Sequence, residues 1–253
     1  MIGPANLRGH AGAGSVGRTP AVIIPIGTPF AGWARRESHQ DENEQDGAMP
    51  LAIKVYSDYA CPFCYLAEFP LREAIRGKDV EVEWMPFELR PEPQPTLRPE
   101  GEYLQRAWSQ SVFPMAERMG VPIALPPVSP QPHTHTAFEG YQYAREQGKG
   151  NDYNVRVLEA FFVEGRDIGK INVLTKLAGE VGLDSHDFEE ALRSRKYREA
   201  HRQALRHAYE EVGVNGVPMF VIGDRVLAGL QDRETVEAVI DEELARSESA
   251  GRT

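Results

Sequence analysis

Apolar and polar positions fall into regular patterns only from Met49 onward. Leu51-Ala52-Ile53-Lys54-Val55-Tyr56 is a short, nearly continuous apolar run and predicts a buried strand. Cys61 to about Arg76 follows a helical period and stops at Gly77, a residue suited to a left-handed helix end. Val80 to Met85 alternates apolar with acidic residues, the pattern of a half-buried strand. Pro91, Pro93, Pro95 and Pro99 then enforce an extended loop. Helical patterns follow at Glu102–Met119, His135–Gln147, Tyr153–Val163, Lys170–Val181, Ser185–Leu192 and Tyr197–Val212, with a second proline-rich loop from Val121 to Pro132. Gly182 is placed to end one of these helices and Asp184 to cap the start of the next. Met219–Ile222 and Arg225–Ala228, joined by Gly223-Asp224, predict a β-hairpin. Gln231-Asp232 opens a last helix running to about Ala245. The order predicts an α/β protein in which two β-containing halves, 49–100 and 196–246, flank an all-helical insertion over 101–195.

The two ends look different. Residues 1–48 are rich in Gly, Ala and Pro and close on an acidic run from Glu37 to Gly47. No period of either secondary structure persists there, so a disordered extension is expected, with Met49 as an alternative start. Residues 247–253 are expected to be a flexible tail. The apolar stretch Ala21–Trp33 is broken by Pro25, Gly27, Pro29 and Gly32 and makes a poor signal-peptide core.

Charge narrows the function classes. Lys and Arg number 28 against 38 Asp and Glu, a formal net charge of −10. An acidic chain is a poor match for nucleic acid, whose phosphates need a basic surface. The basic residues Arg193, Arg195, Lys196, Arg198, Arg202 and Arg206 cluster on connecting helices and are expected to form a solvated face. No stretch reaches the roughly 18–20 apolar residues of a membrane span. A cytoplasmic protein is expected, with neither nucleic acid nor membrane as partner.

The chain has two cysteines, and both sit in Cys61-Pro62-Phe63-Cys64. Two cysteines three apart cannot staple a fold; their position at a strand-to-helix junction points to thiol–disulfide exchange. Free backbone N–H groups and the helix dipole at such a start favour a thiolate at Cys61, and Pro62 fits the first helical position. Cys64, one turn later, lies on the same face. Cys61 is therefore read as nucleophile and Cys64 as resolving thiol. A zinc site would need more ligands than the pair offers, and His133 and His135 in a proline-rich loop read as a solvated turn, so no metal is expected. Two inert buried cysteines are the plainer alternative.

A second signal lies 150 residues on, where Gly213-Val214-Asn215-Gly216-Val217-Pro218 leads into the Met219 strand. Together, Ser57-Asp58-Tyr59-Ala60-Cys61-Pro62-Phe63-Cys64-Tyr65 and Gly216-Val217-Pro218-Met219-Phe220-Val221-Ile222 resemble the DsbA-like thioredoxin superfamily. Pro86-Phe87-Glu88-Leu89-Arg90-Pro91 and Ala160-Phe161-Phe162-Val163-Glu164-Gly165-Arg166-Asp167-Ile168 resemble its FrnE-like oxidoreductase branch. The resemblance spans about residues 50–245. It implies a thioredoxin-like fold with an inserted helical domain, a cis Val217–Pro218 bond and an exposed Cys61 thiol. It further implies that the loop lies against the dithiol, so that Val217 and Pro218, with Pro62 and Phe63, bind substrate, the Val217 backbone pairing with an extended peptide. The expected partner is a disulfide-containing protein or a small-molecule thiol. No bound cofactor is expected, only an external thiol or glutathione as electron donor. Monomer and homodimer both fit.

Two other activities fit the same residues. Glutathione-dependent 2-hydroxychromene-2-carboxylate isomerases and kappa-type transferases resemble this chain in fold. A serine commonly stands in the isomerases where Cys61 stands here, which weakens that reading. A redox-sensitive holdase chaperone is the non-enzymatic alternative. Phe138, Tyr141, Phe161 and Phe162 fall at helical spacing and read as core rather than ligand contacts. Asp58, Tyr65 and His135 lie near the motif or in a loop, with at most a tuning effect on the thiols.

Overall fold

A computed structural model describes residues 49–250, which carry four strands and nine α-helices. The readings placed on residues 1–48 and 251–253 lie outside the described residues.

Strand β1 (Leu51–Ser57) and strand β2 (Val80–Pro86) are parallel, paired from Leu51 with Val80 through Ser57 with Pro86. Helix α1 (Pro62–Ala74) makes the crossover between them. Strand β3 (Met219–Ile222) runs antiparallel to β1, and β4 (Arg225–Ala228) antiparallel to β3, giving the order β2-β1-β3-β4. β1 has a neighbour on each side, which is why it carries Ile53 and Val55 with no exposure at all, while the edge strand β4 leaves Arg225, Val226 and Ala228 exposed and Leu227 half-buried. Helix α9 (Arg233–Ala250) packs on α1 and β3 and contributes Val236 and Ile240 to the core.

Seven helices fill the span between β2 and β3: α2 (Glu102–Ala107), α3 (Phe113–Met119), α4 (His135–Glu146), α5 (Gly150–Phe162), α6 (Ile171–Glu180), α7 (Ser185–Arg193) and α8 (Arg198–Arg206). Helix α5 lies against both α1 and β2, and α8 against β2 and α4, so the helical segment is packed onto the sheet through these two. Phe138, Tyr141, Phe161 and Phe162 are all in the core, as their spacing predicts.

Three differences from the pattern have physical causes. The continuous helix expected over Glu102–Met119 contains a π-helical turn, Trp108–Val112, and that over Tyr197–Val212 ends in another, His207–Glu211. A π turn inserts one residue into an otherwise α-helical segment, a single-residue change too small to interrupt a helical pattern read over many residues. The expected tail from residue 247 is helical as far as Ala250. Ser247 Oγ donates to the Glu243 carbonyl (3.1 Å) and Ser249 Oγ to that of Arg246 (2.8 Å), bonds that fold these polar residues back onto the helix. The basic cluster is not wholly solvated: Arg195 forms a bidentate pair with the buried carboxylate of Glu139 and adopts a left-handed φ of 56°.

The cap at α7 is present. Asp184 Oδ1 accepts from the Asp187 N–H at 2.9 Å. Asp184→Ala leaves that N–H to water and is expected to cost about 1 kcal/mol, readable as a lower urea midpoint with an unchanged slope.

Candidate functional site

Cys61 is the extended residue immediately before α1, with φ −93° and ψ 113°, and Pro62 follows at the first helical position. The Cys61 N–H donates to the Asp58 carbonyl (3.0 Å), closing a tight turn between β1 and the helix. The Cys61 carbonyl in turn accepts from Cys64 N–H (3.1 Å) and Tyr65 N–H (3.4 Å). This backbone wiring places the two sulfurs on one side of the first turn. Both cysteines are free, so the pair stands as the dithiol.

The loop before β3 faces it. The Val217–Pro218 bond is cis, as the resemblance implies, and so are Glu92–Pro93 and Ser129–Pro130, which carry no comparable sequence signal. The Cys61 thiol donates to the Val217 carbonyl oxygen at 3.7 Å across 156 positions of sequence. Val217, Pro62 and Phe63 are half-buried and Pro218 is buried. Beneath the loop lies an apolar cluster of Tyr56, Met85, Phe87, Ala208, Val214 and Met219, against which Val217 packs.

One expectation is corrected. Cys61 is not an exposed thiol: it is 5% exposed, and Cys64 0%. The Val217 carbonyl lies against the Cys61 sulfur. Burial pushes the Cys64 thiol well above the ordinary cysteine range, and the hydrogen bond and charge of Cys61 push it further. Both sulfurs are buried, Cys61 the less deeply of the two.

A cleft of about 180 Å³ opens beside Ala60, between the loop after β2, which carries Leu89, Arg90 and Leu97, and the segment from Gln131 to Thr134. Tyr103 of α2 closes one end. Asp58 lies at its base and is 2% exposed. Its carboxylate accepts from Ala60 N–H (3.1 Å), Leu89 N–H (2.7 Å) and Thr134 Oγ1 (2.8 Å). Burial lifts its pKa to about 6, against the lowering effect of these donors. Behind the cleft, His201 Nε2 meets Glu88 Oε1 at 2.7 Å, with both side chains buried and the imidazole stacked on Phe138. Neither the three donors on Asp58 nor the Glu88–His201 pair is foreseen from the sequence. Their only signal is the presence of Asp58 and Glu88 within two of the motifs.

His133 Nε2 lies 2.8 Å from the Gln94 carbonyl, and His135 begins α4, its pKa lowered by burial. The two rings stand 6.3 Å apart. Among the described residues, Asp184, His186 and Asp187 could converge on a cation, but they are two exposed carboxylates and an exposed imidazole at a helix cap, remote in sequence from the dithiol. Tyr65 donates its hydroxyl to the Pro122 carbonyl and stacks on Phe162, which ties α1 to the helical segment. No helix among the described residues is long and apolar enough to cross a membrane.

Comparison with known proteins agrees with this arrangement. The chain is 53% identical over 196 residues to the uncharacterized protein YwbO of Bacillus subtilis (strain 168), covering 77% of this chain and 98% of that one. It is 26% identical over 195 residues to the 2-hydroxychromene-2-carboxylate isomerase of Sphingobium xenophagum, covering 76% and 99%. Among solved structures, the cytosolic disulfide reductase DsbM of Pseudomonas aeruginosa, determined with GSH, superposes with a TM-score of 0.58 at 23% identity, covering 80% of this chain and 100% of that one. The model of the DSBA-like thioredoxin domain matches residues 52–241, from the second residue of β1 into α9 and so across the dithiol and the cis-proline loop alike; the chain belongs to the DSBA-like thioredoxin-domain family.

Proposed function

We propose that this protein is a thiol–disulfide oxidoreductase of the reductase or isomerase type, with Cys61 as nucleophile and Cys64 as resolving thiol. The observation that carries the reading is the approach of the Cys61 sulfur to the Val217 carbonyl with Cys64 enclosed one turn below. The Cys61 thiolate attacks one sulfur of a substrate disulfide, forms a mixed disulfide and expels the other sulfur as a thiolate, which takes up a proton. Cys64 then attacks the Cys61 sulfur, closes the Cys61–Cys64 disulfide and releases the second substrate thiol. Two electrons pass to the substrate. Two equivalents of an external thiol such as glutathione return the pair to the dithiol. Pro62, Phe63, Val217 and Pro218 border the reacting sulfur, and an extended peptide pairs there with the Val217 backbone. A cytoplasmic setting fits this direction, since that compartment holds dithiols reduced.

Reduction of insulin disulfides by glutathione, with and without the protein, tests the reading. Catalysis that disappears when Cys61 is alkylated is expected. A holdase instead suppresses aggregation equally well before and after alkylation. The redox couple is a second check. Phe63 brings no positive charge to the helix start, so a potential more reducing than the roughly −120 mV of DsbA is expected in a glutathione titration. A value at or above that contradicts the reductase assignment.

Similarity to the isomerase along nearly its whole length supports a second reading, glutathione-dependent isomerisation of a small aromatic acid. Turnover of 2-hydroxychromene-2-carboxylate that survives Cys64→Ser would favour it, because that chemistry needs no resolving thiol.

A further inference from the structure

The Asp58 side chain touches the floor and both walls of the cleft beside Ala60, the residue before Cys61. Ala60, whose N–H it accepts, is the floor and adjoins Cys61. Leu89, whose N–H it accepts at 2.7 Å, starts the wall carrying Arg90 and Leu97. Thr134, whose hydroxyl it accepts at 2.8 Å, ends the wall carrying Gln131 and His133 at the entry to α4. Ala60 is two positions away, a local turn contact, but Leu89 and Thr134 are 31 and 76 positions away and are brought here by the fold. The Asp58 backbone carbonyl also holds the Cys61 N–H. The three donors offset the cost of burying a carboxylate and tie the floor of the cleft to both of its walls.

We propose that Asp58 is a positioning residue that fixes the width of a side-chain subsite beside Cys61, and so selects peptide disulfides over small ones. The proposal rests on the oxidoreductase reading and adds the substrate class. Leu89, Leu97, Tyr103 and Pro132 give the cleft apolar walls, with Arg90 and His133 at its polar edge. It has room for about one side chain next to the cysteine of a bound peptide. A small aromatic disulfide has no such side chain and reaches Cys61 without using the cleft. The substrate backbone lies on the Val217 side and the adjacent side chain on the Asp58 side, so the two contacts are separable.

Asp58→Asn removes the charge and leaves one acceptor oxygen where three donors converge. The expected result is a KM for insulin raised about fivefold or more with little change in kcat, while reduction of 5,5′-dithiobis(2-nitrobenzoate) stays within about twofold. The small disulfide reports that the dithiol and the fold are intact. Thr134→Val severs one tie and keeps the carboxylate, and is expected to shift the insulin KM in the same direction by less; it carries the same comparison if Asp58→Asn does not fold. Unchanged insulin KM in a folded variant overturns the proposal. So does an equal loss on both substrates, which would place the effect of Asp58 on the thiols themselves. Wild-type protein inactive on both disulfides overturns the oxidoreductase reading, and the proposal falls with it.

Discussion

Cys61→Ser is expected to lower insulin-disulfide reduction by roughly 10³-fold or more, whereas Cys64→Ser is expected to stop at a stable mixed disulfide. The asymmetry comes from where the two sulfurs lie. On the proposed reading the substrate sulfur meets Cys61, which keeps 5% exposure beside the Val217 carbonyl, and not Cys64, which is fully enclosed. A serine hydroxyl at position 61 is not deprotonated near neutral pH and gives no leaving group for resolution. In Cys64→Ser the first attack proceeds and nothing inside the protein completes it, because no third cysteine exists. The intact pair also has a built-in order. Apart from burial, the two influences that hold the Cys64 thiol protonated are the hydrogen bond and the charge of Cys61. Both vanish once the Cys61 sulfur is bonded to substrate, so Cys64 becomes easier to ionise at the moment its attack is needed. Mass spectrometry of each variant after brief exposure to excess oxidised glutathione checks this. The expected adduct is one glutathione on Cys64→Ser and none on Cys61→Ser. The reverse pattern would falsify the assignment of nucleophile and resolving thiol.

Much of this arrangement is legible in the order of residues along the chain. β1, α1 and β2 follow from an apolar run, a helix start at Pro62 and an alternating strand. The hairpin follows from Gly223-Asp224 between two short apolar runs, and the Asp184 cap from its place before an amphipathic segment. What periodicity misses is what period does not encode. The π turns at Trp108–Val112 and His207–Glu211 each insert a single residue within a helical run, and the serines that extend α9 do so through bonds to their own backbone. Arg195 reads as one more surface cation because its partner, Glu139, lies 56 positions away on another helix.

The site divides along the same line. Cys61 and Cys64 are local to one turn, and Val217-Pro218 carries its own signature, so the two halves of the site are visible as words in the sequence. How closely they meet is not. The Val217 carbonyl lies against the Cys61 sulfur, and the exposed thiol implied by resemblance becomes a buried one. Asp58 is legible only as a polar residue near a motif, since the donors that give it a purpose, Leu89 and Thr134, belong to loops whose positions depend on the folded chain.

Glu68 gives the largest expected effect on stability. It lies on α1, one turn beyond Cys64, is 2% exposed, and neither carboxylate oxygen has a hydrogen-bond partner. Burial raises its pKa to about 8; Arg72 works against the shift and Glu159 on α5 with it. A carboxyl protonated in the folded state and ionised in the unfolded one draws the equilibrium toward unfolding as pH rises. The cost is absent below the ordinary carboxyl value, grows as pH climbs above it, and levels off above about 8. At pH 7 it amounts to something on the order of 3 kcal/mol, a large share of the stability of a domain this size. Glu68→Gln keeps the shape and removes the ionisation. The variant is therefore expected to be more stable than wild type by about 2–3 kcal/mol near pH 7.5 and no more stable near pH 4. Asp58 titrates with burial in both proteins and cancels in the difference. Urea unfolding of the two proteins at both pH values decides the matter. A gap that stays constant between them would mean that the Glu68 carboxyl is already ionised in the folded chain, held by Arg72 rather than neutralised by burial.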